Sequence, residues 1–446
     1  MIISDNDTIT AISTPIGVGG ISIIKVSGNN CLDLLKKIFS LKKNFESHKI
    51  YYGFILDDKK ILDEVLVSVM IAPKSYTRED VIEINCHGGF ICAQKILNLI
   101  LKNNIRLAEP GEFTKRAYLN GRIDLSQAES VVDLINSKNN IVSDIAASGI
   151  NGKLSNKINL YSNIILDILT NIEACIDFPD DVFVFDFHKK INRLLKNIEK
   201  LIKSYSIGKI INNGINLTII GKSNVGKSSL MNKLCCEDVS IVTNISGTTR
   251  DVIKDNIVIN GININIFDTA GIRKSDDLVE KIGIKKTQDC IRKSDLVLCV
   301  FDNSREFDND DNKIIEFCKN KEKIHVLNKK DLENKFDHSK IDFDCLKISS
   351  YDDKDIDKIK KKIIDLIFGD KKNFFKHDSI ILINARHLVC LEKSYENLKK
   401  SLDKNKEYEL VSIDLKEAYN NLCEITGKNI DDKLLKNIFE KFCIGK

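Results

Sequence analysis

The sequence predicts a multidomain chain of α/β and α+β parts: a small N-terminal α+β domain over 1–119, a helical domain in two halves, 120–212 and 375–446, and a phosphate-loop α/β domain over 213–374 inserted between those halves. Three observations predict it. Short apolar strands alternate with helical stretches from 213 to 374, the rhythm of a mostly parallel sheet whose ligands sit at the strands' carboxyl ends. On both sides of that stretch apolar residues recur at three- and four-residue steps, and each half is too thin to fold comfortably alone. The first 119 residues instead carry short strands separated by turns.

In chain order, Ile9–Ile12, Ile21–Val26, Gly53–Leu56 and Val65–Ile71 read as strands, and Gly89–Asn103 has helical spacing at Ile91, Ile96, Ile100 and Leu101. From Asp124 the helical period takes over, through Leu125, Ala128, Val132 and Ile135 and then Ile158, Ile165, Ile168 and Ile172. Strands follow at 215–220, 255–260, 262–267, 295–301, 323–327 and 345–349. The tail returns to helix at Leu388, Leu391, Leu398 and Leu402, then over Leu410–Cys423 and Asp432–Phe442.

The strongest motif is Gly221-Lys-Ser-Asn-Val-Gly-Lys-Ser228, a phosphate loop between the strand 215–220 and a helix opening at Ser229. Gly221 and Gly226 let backbone N–H groups close on phosphate oxygens at the positive end of that helix. Asn224 and Val225 complete the loop, Lys227 reaches the β- and γ-phosphates, and Ser228 holds Mg²⁺. Asp268-Thr269-Ala270-Gly271 ends a strand, so a carboxylate suits the outer metal shell and the Gly271 N–H suits the γ-phosphate. In Ser246-Gly247-Thr248-Thr249-Arg-Asp251, a loop threonine completes the metal shell only while the γ-phosphate is present, which makes a switch. Asn328-Lys329-Lys-Asp331 follows another strand, and Asp331 can accept N1–H and the 2-amino group of guanine, which adenine lacks. The expected nucleotide is GTP. A fifth element is imperfect: Ile348-Ser-Ser-Tyr351 stands where Ser-Ala-Lys is usual. The residue after Asp-Thr-Ala-Gly is Ile272, where small GTPases place a water-orienting glutamine; Glu280, further along, is a candidate to act on water, although from the residues alone it reads as an ordinary surface acid.

Composition narrows the rest. A formal charge of +4 from 68 basic and 64 acidic residues does not announce nucleic-acid binding, and the lysines of 358–376 read as a solvated helix face. Thirteen cysteines without a paired-thiol or Cys/His ligand spacing indicate reduced thiols. No export signal or membrane-length apolar run is evident, so a soluble cytoplasmic protein is expected.

The chain resembles the tRNA-modification GTPase MnmE (TrmE) family over essentially its full length. The segments that carry the likeness are Asp5-Asn-Asp-Thr8, Gly19-Gly20-Ile21, Ser75-Tyr-Thr77, Glu79-Asp80-Val81, His87-Gly-Gly89, Pro110-Gly-Glu-Phe113-Thr-Lys-Arg116, Asn120-Gly-Arg-Ile-Asp-Leu125 with Gln127-Ala-Glu129, and the terminal Phe442-Cys-Ile-Gly-Lys446. The resemblance implies a Ras-like G domain activated by K⁺ and by G-domain dimerisation. Asn224, Thr243, Ile245 and Thr248 match its K⁺ ligands, Thr249 its second Mg²⁺ ligand, and Glu280 its water-activating glutamate; Asn244 belongs with Thr243–Thr249 to the GTP-binding loop. It further implies a folate-binding-like N-terminal domain that forms the homodimer. Lys25, Glu83, Arg122 and Lys446 match its folate positions, where Arg is common at the first and Lys at the third. From the residues alone Lys25 and Glu83 read as a strand's polar face. Val18 and Arg78 stand where Arg and Gly are common. Cys443 offers a thiol nucleophile, though its place beside Phe442 suits packing equally.

Two functions are open at this stage. In the first, GTP hydrolysis drives modification of the wobble uridine of certain tRNAs with a tetrahydrofolate one-carbon unit (5-formyl or 5,10-methylene) and an FAD-containing partner of the MnmG (GidA) type in a heteromeric complex. In the second, the chain is a ribosome-assembly or RNA-binding switch GTPase without modifying activity. Assembly GTPases usually carry a KH-type or second G domain, and neither pattern is evident.

Overall fold

The computed structural model describes residues 7–15, 17–180, 186–236, 255–268, 288–337, 343–369, 380–403 and 405–446. The chain divides into two compact units: residues 1–136, 146–195 and 390–446 form one, and residues 137–145 and 196–389 the other.

The first unit is built on a six-stranded sheet in the order β3-β4-β5-β2-β1-β6, from β1 (Ile9–Ile12), β2 (Ile21–Ser27), β3 (Lys49–Asp57), β4 (Lys60–Met70), β5 (Val81–His87) and β6 (Arg106–Leu107). Its pairings are antiparallel except β1 with β6. Helices α1 (Cys31–Ile38) and α2 (Phe90–Lys102) cover one face, where Leu35, Ile38, Ile96 and Ile100 meet Ile24, Val67 and Ile84. β5 alternates apolar and polar residues but is absent from the sequence reading, and β3 and β4 are longer than expected. Their extra length mixes exposed Ile50, Tyr52 and Ile61 with Lys and acidic residues, so it lacks a one-sided buried pattern while still pairing through its backbone.

Helices α3 (Glu112–Leu119), α4 (Leu125–Ile135) and α6 (Lys153–Asp177) follow in this unit, with α5 (Asn140–Ile150) and α7 (His188–Asn213) crossing its boundaries in sequence. Asp124 and Gln127 form a reciprocal capping box that starts α4. Gly111 takes φ +68, and a Cβ there would lie 2.8 Å from the Phe439 carbonyl oxygen and Phe442 Cβ, so only glycine fits.

The second unit carries β7 (Ile215–Ile220), α8 (Lys227–Cys236), β8 (Asp255–Ile259), β9 (Ile262–Asp268), β10 (Leu296–Asp302), α9 (Asn309–Phe317), β11 (Lys323–Asn328), β12 (Cys345–Lys347) and α10 (Asp353–Phe368). The order β12-β11-β10-β7-β9-β8 is parallel except for edge strand β8. Every residue of β10 is buried, as a central parallel strand requires. Asn260 and Gly261, at φ +50 and +79, turn β8 into β9 as a two-residue hairpin. α8 begins at Lys227 rather than Ser229, because phosphate-loop residues already take helical backbone there. On α10, Ile356, Ile359, Ile363 and Phe368 are buried while Lys358, Lys361 and Lys362 face solvent, as the lysine-rich face predicts.

The C-terminal helices are α11 (Ala385–Lys400), α12 (Tyr408–Thr426) and α13 (Asp432–Phe439), with α12 packed along α6. Among the described residues, no helix is long and apolar enough to cross a membrane.

Candidate functional site

The phosphate loop leaves β7 where the strand order reverses, the position at which open α/β sheets bind ligands. The carboxyl ends of four adjacent strands gather there, at Gly221, Asp268, Asp302 and Asn328: Ile219 pairs with Asp268, and Asp302 with Asn328. The α8 N-terminus at Lys227 aims its positive end at the same spot.

Protein neighbours demand the two loop glycines. A Cβ on Gly221 would sit 2.3 Å from the Val300 carbonyl oxygen, and one on Gly226, at φ +96, would sit 2.2 Å from Asn328 Nδ2. Asn224 holds φ +63, a left-handed backbone that asparagine tolerates better than most residues. Lys227 Nζ donates to the carbonyls of Gly221 at 2.7 Å and Lys222 at 2.5 Å, which keeps the ammonium over the loop. Lys222 in turn reaches Asp308 and Asp311, each at 2.7 Å, at the start of α9.

Asn328 is buried, and its amide joins three loops. Its Nδ2 donates to the Val225 carbonyl at 2.8 Å, and its Oδ1 accepts from the Ser350 N–H at 3.1 Å and hydroxyl at 2.9 Å. Val225 itself is buried, Ser228 and Ser229 are exposed in the first turn of α8, and Asp331 is exposed beyond Asn328. Lys329, at φ +64, pairs with Asp302 at 2.6 Å. The remaining site expectations (Thr243, Asn244, Ile245, Ser246, Gly247, Thr248, Thr249, Thr269, Ala270, Gly271, Ile272 and Glu280) lie outside the described residues, as does the Asp268 side chain.

The sequence reading missed Asp355. Its covered carboxylate accepts from the Ser349 N–H at 2.9 Å and from Lys358 at 2.8 Å, and it pairs with Lys330. Burial opposes its charge, yet the hydrogen bonds from Lys330, Lys358 and Ser349 outweigh that and lower its pKa to about 2. A carboxylate depressed in the folded state stabilises fully above its unfolded pKa of about 4 and loses that stabilisation as pH falls towards 2. Asp355→Asn is therefore expected to cost about 2 kcal/mol at neutral pH and progressively less between pH 4 and 2. Urea unfolding of the transition that GTP shifts checks this; a deficit unchanged across that window refutes it.

In the first unit the structure brings together the four positions Lys25, Glu83, Arg122 and Lys446. Lys25 and Glu83 are cross-strand partners, with Nζ 3.5 Å from Oε1. Lys25 Nζ lies 5.4 Å from the Tyr76 ring centre and the Arg122 guanidinium 4.6 Å from it. Burial lowers the Lys25 pKa, Glu83 opposes the shift, and the charge of Lys446 adds to it. The C-terminal segment is held to this sheet by Ser13, whose hydroxyl donates to the Gly445 carbonyl at 3.1 Å. Tyr76, the aromatic centre, went unnoticed as a site residue although Ser75-Tyr-Thr77 drew attention. Arg78 holds φ +61, a backbone that favours the glycine common there, and Val18 is fully exposed. Cys443 is exposed while Phe442 is buried, and the Cys443 carbonyl accepts the Gly111 N–H.

Beneath these positions Arg116 contacts Asp7 at 2.5 Å, Glu79 at 3.0 Å and Glu112 at 3.0 Å, and Arg106 contacts Asp7 and Glu112 at 2.5 Å each. Three of the segments that carried the resemblance thus meet in one largely covered ion network. Most members keep a second partner if one is lost, but Arg116 is the cation that Glu79 pairs with in this network, so its removal would leave that carboxylate without a counter-charge there.

Comparison with known proteins agrees in both units. The model for the TrmE GTP-binding protein N-terminus matches residues 8–122, and that for the MnmE helical domain matches residues 125–443. The tRNA modification GTPase MnmE of Natranaerobius thermophilus is 44% identical, with 99% of both chains covered. That of Streptococcus mutans is 42% identical over 100% of both. This chain belongs to the MnmE family. It is accordingly a GTPase with a role in tRNA modification. Among solved structures, the G domain of the T. maritima FeoB iron transporter is 23% identical, with 34% of this chain and 97% of that one covered and a TM-score of 0.26. An Era variant from Aquifex aeolicus bound to GDP.AlF4- is 23% identical, covers 42% and 68%, and has the same TM-score of 0.26. Membership in the MnmE family rests on the full-length relatives and the two family models.

Proposed function

We propose that this chain is a potassium-stimulated GTPase which, with a flavoprotein of the MnmG (GidA) type, installs the 5-carboxymethylaminomethyl group on the wobble uridine of certain tRNAs, drawing on a tetrahydrofolate one-carbon unit. The observation that carries this reading is the convergence of Lys25 and Arg122 on Tyr76, with Glu83 paired to Lys25 and Lys446 close to Lys25, in a chain that also holds a complete phosphate loop. Three cations suit the glutamyl carboxylates of a folate, Tyr76 offers a stacking face, and Glu83 can accept from a pterin's N–H groups. Cytoplasmic, homodimeric action fits the same reading. On the sheet face away from α1 and α2, Ile50 and Tyr52 on β3 and Leu66 on β4 are exposed, an apolar surface suited to a second copy.

At the nucleotide, Lys227 would bind the β- and γ-phosphates, and Asp331 would select guanine. Ser228 and Thr249 would hold Mg²⁺, and Asn224, Thr243, Ile245 and Thr248 would hold K⁺. The hydroxyl of Ser228 in the first turn of α8 and the loop amide of Asn224 are oxygen donors of the kind both cations take. Bound there, the cations neutralise charge on the transferring phosphoryl group. Glu280 would orient the attacking water, directly or through another water.

The test is reconstitution with the flavoprotein, GTP, a reduced folate and tRNA in KCl, read by nucleoside mass spectrometry. A modified wobble uridine is expected, and an unmodified one sinks the proposal. Glu280→Ala should lower GTP turnover on the order of 10³-fold with nucleotide affinity nearly intact. A parent-like rate would remove Glu280 from the mechanism.

A further inference from the structure

The N-terminal sheet holds ligand-type side chains that neither the nucleotide loop nor the Tyr76 cluster uses. Asp63 lies on β4, Cys86 is the penultimate residue of β5, and Cys92 lies in the first turn of α2. One ligand atom from each, a carboxylate oxygen and two sulfurs, lies within 4.8 Å of the others. The sequence gives no hint of this, because the two cysteines lack a paired-thiol spacing and the carboxylate arrives from another strand.

The carboxylate is already oriented. His87 Nδ1 meets Asp63 Oδ1 at 2.7 Å, and the His87 backbone N–H donates to Oδ2 at 2.8 Å. That leaves Oδ2 facing the thiols, where it accepts from Cys92 Sγ at 3.1 Å. Cys86 is buried, whereas Cys92 and Asp63 are half-buried, so the group is reachable from one side.

A tetrahedral zinc site, with Zn–S about 2.3 Å and Zn–O about 2.0 Å, places its sulfurs roughly 3.8 Å apart and each about 3.5 Å from the oxygen. The side chains therefore need to move by about 1 Å or less, and the buried Cys86 Sγ gives up its donation to the Ser22 carbonyl at 3.3 Å when it is deprotonated. Two thiolates exclude Ca²⁺ and Mg²⁺, which take oxygen ligands, and favour a borderline-soft ion. Ligating carboxylates are themselves held by hydrogen bonds from outside the ligand set, and His87 supplies such a contact to Asp63.

We propose that Asp63, Cys86 and Cys92 bind Zn²⁺, with His87 orienting the carboxylate and water completing the tetrahedron. Binding exchanges the two S–H protons, released to solvent, for one Zn²⁺, and no electrons move. The ion ties β4 to the junction of β5 and α2, including Gly88, where a Cβ would lie 1.8 Å from the Gly19 carbonyl oxygen. A clamp there holds the Gly19-Gly20 turn against the sheet.

The experiment uses the full chain, reduced and metal-free, titrated with Zn²⁺ alone and then with Co²⁺. Expected are one tight equivalent of zinc and, with cobalt, a tetrahedral spectrum with a thiolate charge-transfer band. Cys92→Ser and Asp63→Asn, at half-buried positions, should each weaken zinc binding more than tenfold, and His87→Ala about tenfold with stoichiometry retained. Cys86→Ser is the supporting variant, since its buried site could unfold. Substoichiometric zinc, unchanged affinity in Cys92→Ser, or a cobalt spectrum without thiolate ligation would overturn the proposal. So would a Cys86–Cys92 disulfide in the chain purified under reducing conditions.

Discussion

Asn224→Gly assayed in KCl is expected to hydrolyse GTP no faster than the parent chain does in NaCl, a fall on the order of 10²-fold. The choice of glycine follows from the backbone. At φ +63 an alanine would strain the loop by about 1 kcal/mol as well as remove the amide, confounding two effects. Glycine tolerates that φ, so it removes the side-chain amide without straining the loop. If Asn224 ligates K⁺ beside the transferring phosphate, both substitutions erase the difference between the salts while GTP affinity in Asn224→Gly stays near the parent value. Equal rates of the parent chain in KCl and NaCl, or a potassium response that survives in Asn224→Gly, would retire the role.

Asn328→Ala is expected to lower GTP affinity on the order of 10²-fold and to destabilise the nucleotide-binding unit by about 3 kcal/mol. Its amide lies 2.8 Å from the Val225 carbonyl and accepts from both the N–H and hydroxyl of Ser350. Alanine leaves the Val225 carbonyl and the Ser350 N–H buried without these partners, at roughly 1–3 kcal/mol each. The phosphate loop and the loop after β12 then lose their common anchor. Asn328→Asp separates the parts, because a carboxylate can still accept from Ser350 but repels the Val225 carbonyl. Isothermal titration with GDP and urea unfolding read the two effects. An alanine variant with parent-like affinity and stability would show that Asn328 anchors neither loop.

The expected outcome at Asn328 also explains the departure at Ser349-Ser350-Tyr351. The chain keeps a tie between the loop at Asn328 and the loop after β12, and the hydroxyl of Ser350 adds a bond that alanine there could not make. Tyr351 points away from packing, 83% exposed, so the aromatic side chain does not share that anchoring role.

How far the sequence could be read depended on the range of the interactions. The phosphate loop, the strand before it and the guanine motif are contiguous, so local periodicity and residue type suffice to place them. The strands 9–12, 215–220 and 262–267 were legible because apolar residues recur at alternate positions, as at Ile215, Leu217 and Ile219 or Ile262, Ile264 and Ile266. β3 and β4 were legible only in their apolar halves, since the remainder is paired through backbone groups that composition does not report.

By itself the sequence determined the strand–helix rhythm around the phosphate loop, the nucleotide motif and the residues of the family's segments. Only the tertiary structure decided what those residues touch. Lys25 became part of a cationic cluster because Arg122 and Lys446, distant in sequence, are brought to its strand. Asp355 became a depressed carboxylate, and Asp63 a partner of two thiols, for the same reason. Charge, burial and ligation are set by neighbours through space. A single chain reports such neighbours only when they also lie close along it, as they do in the phosphate loop.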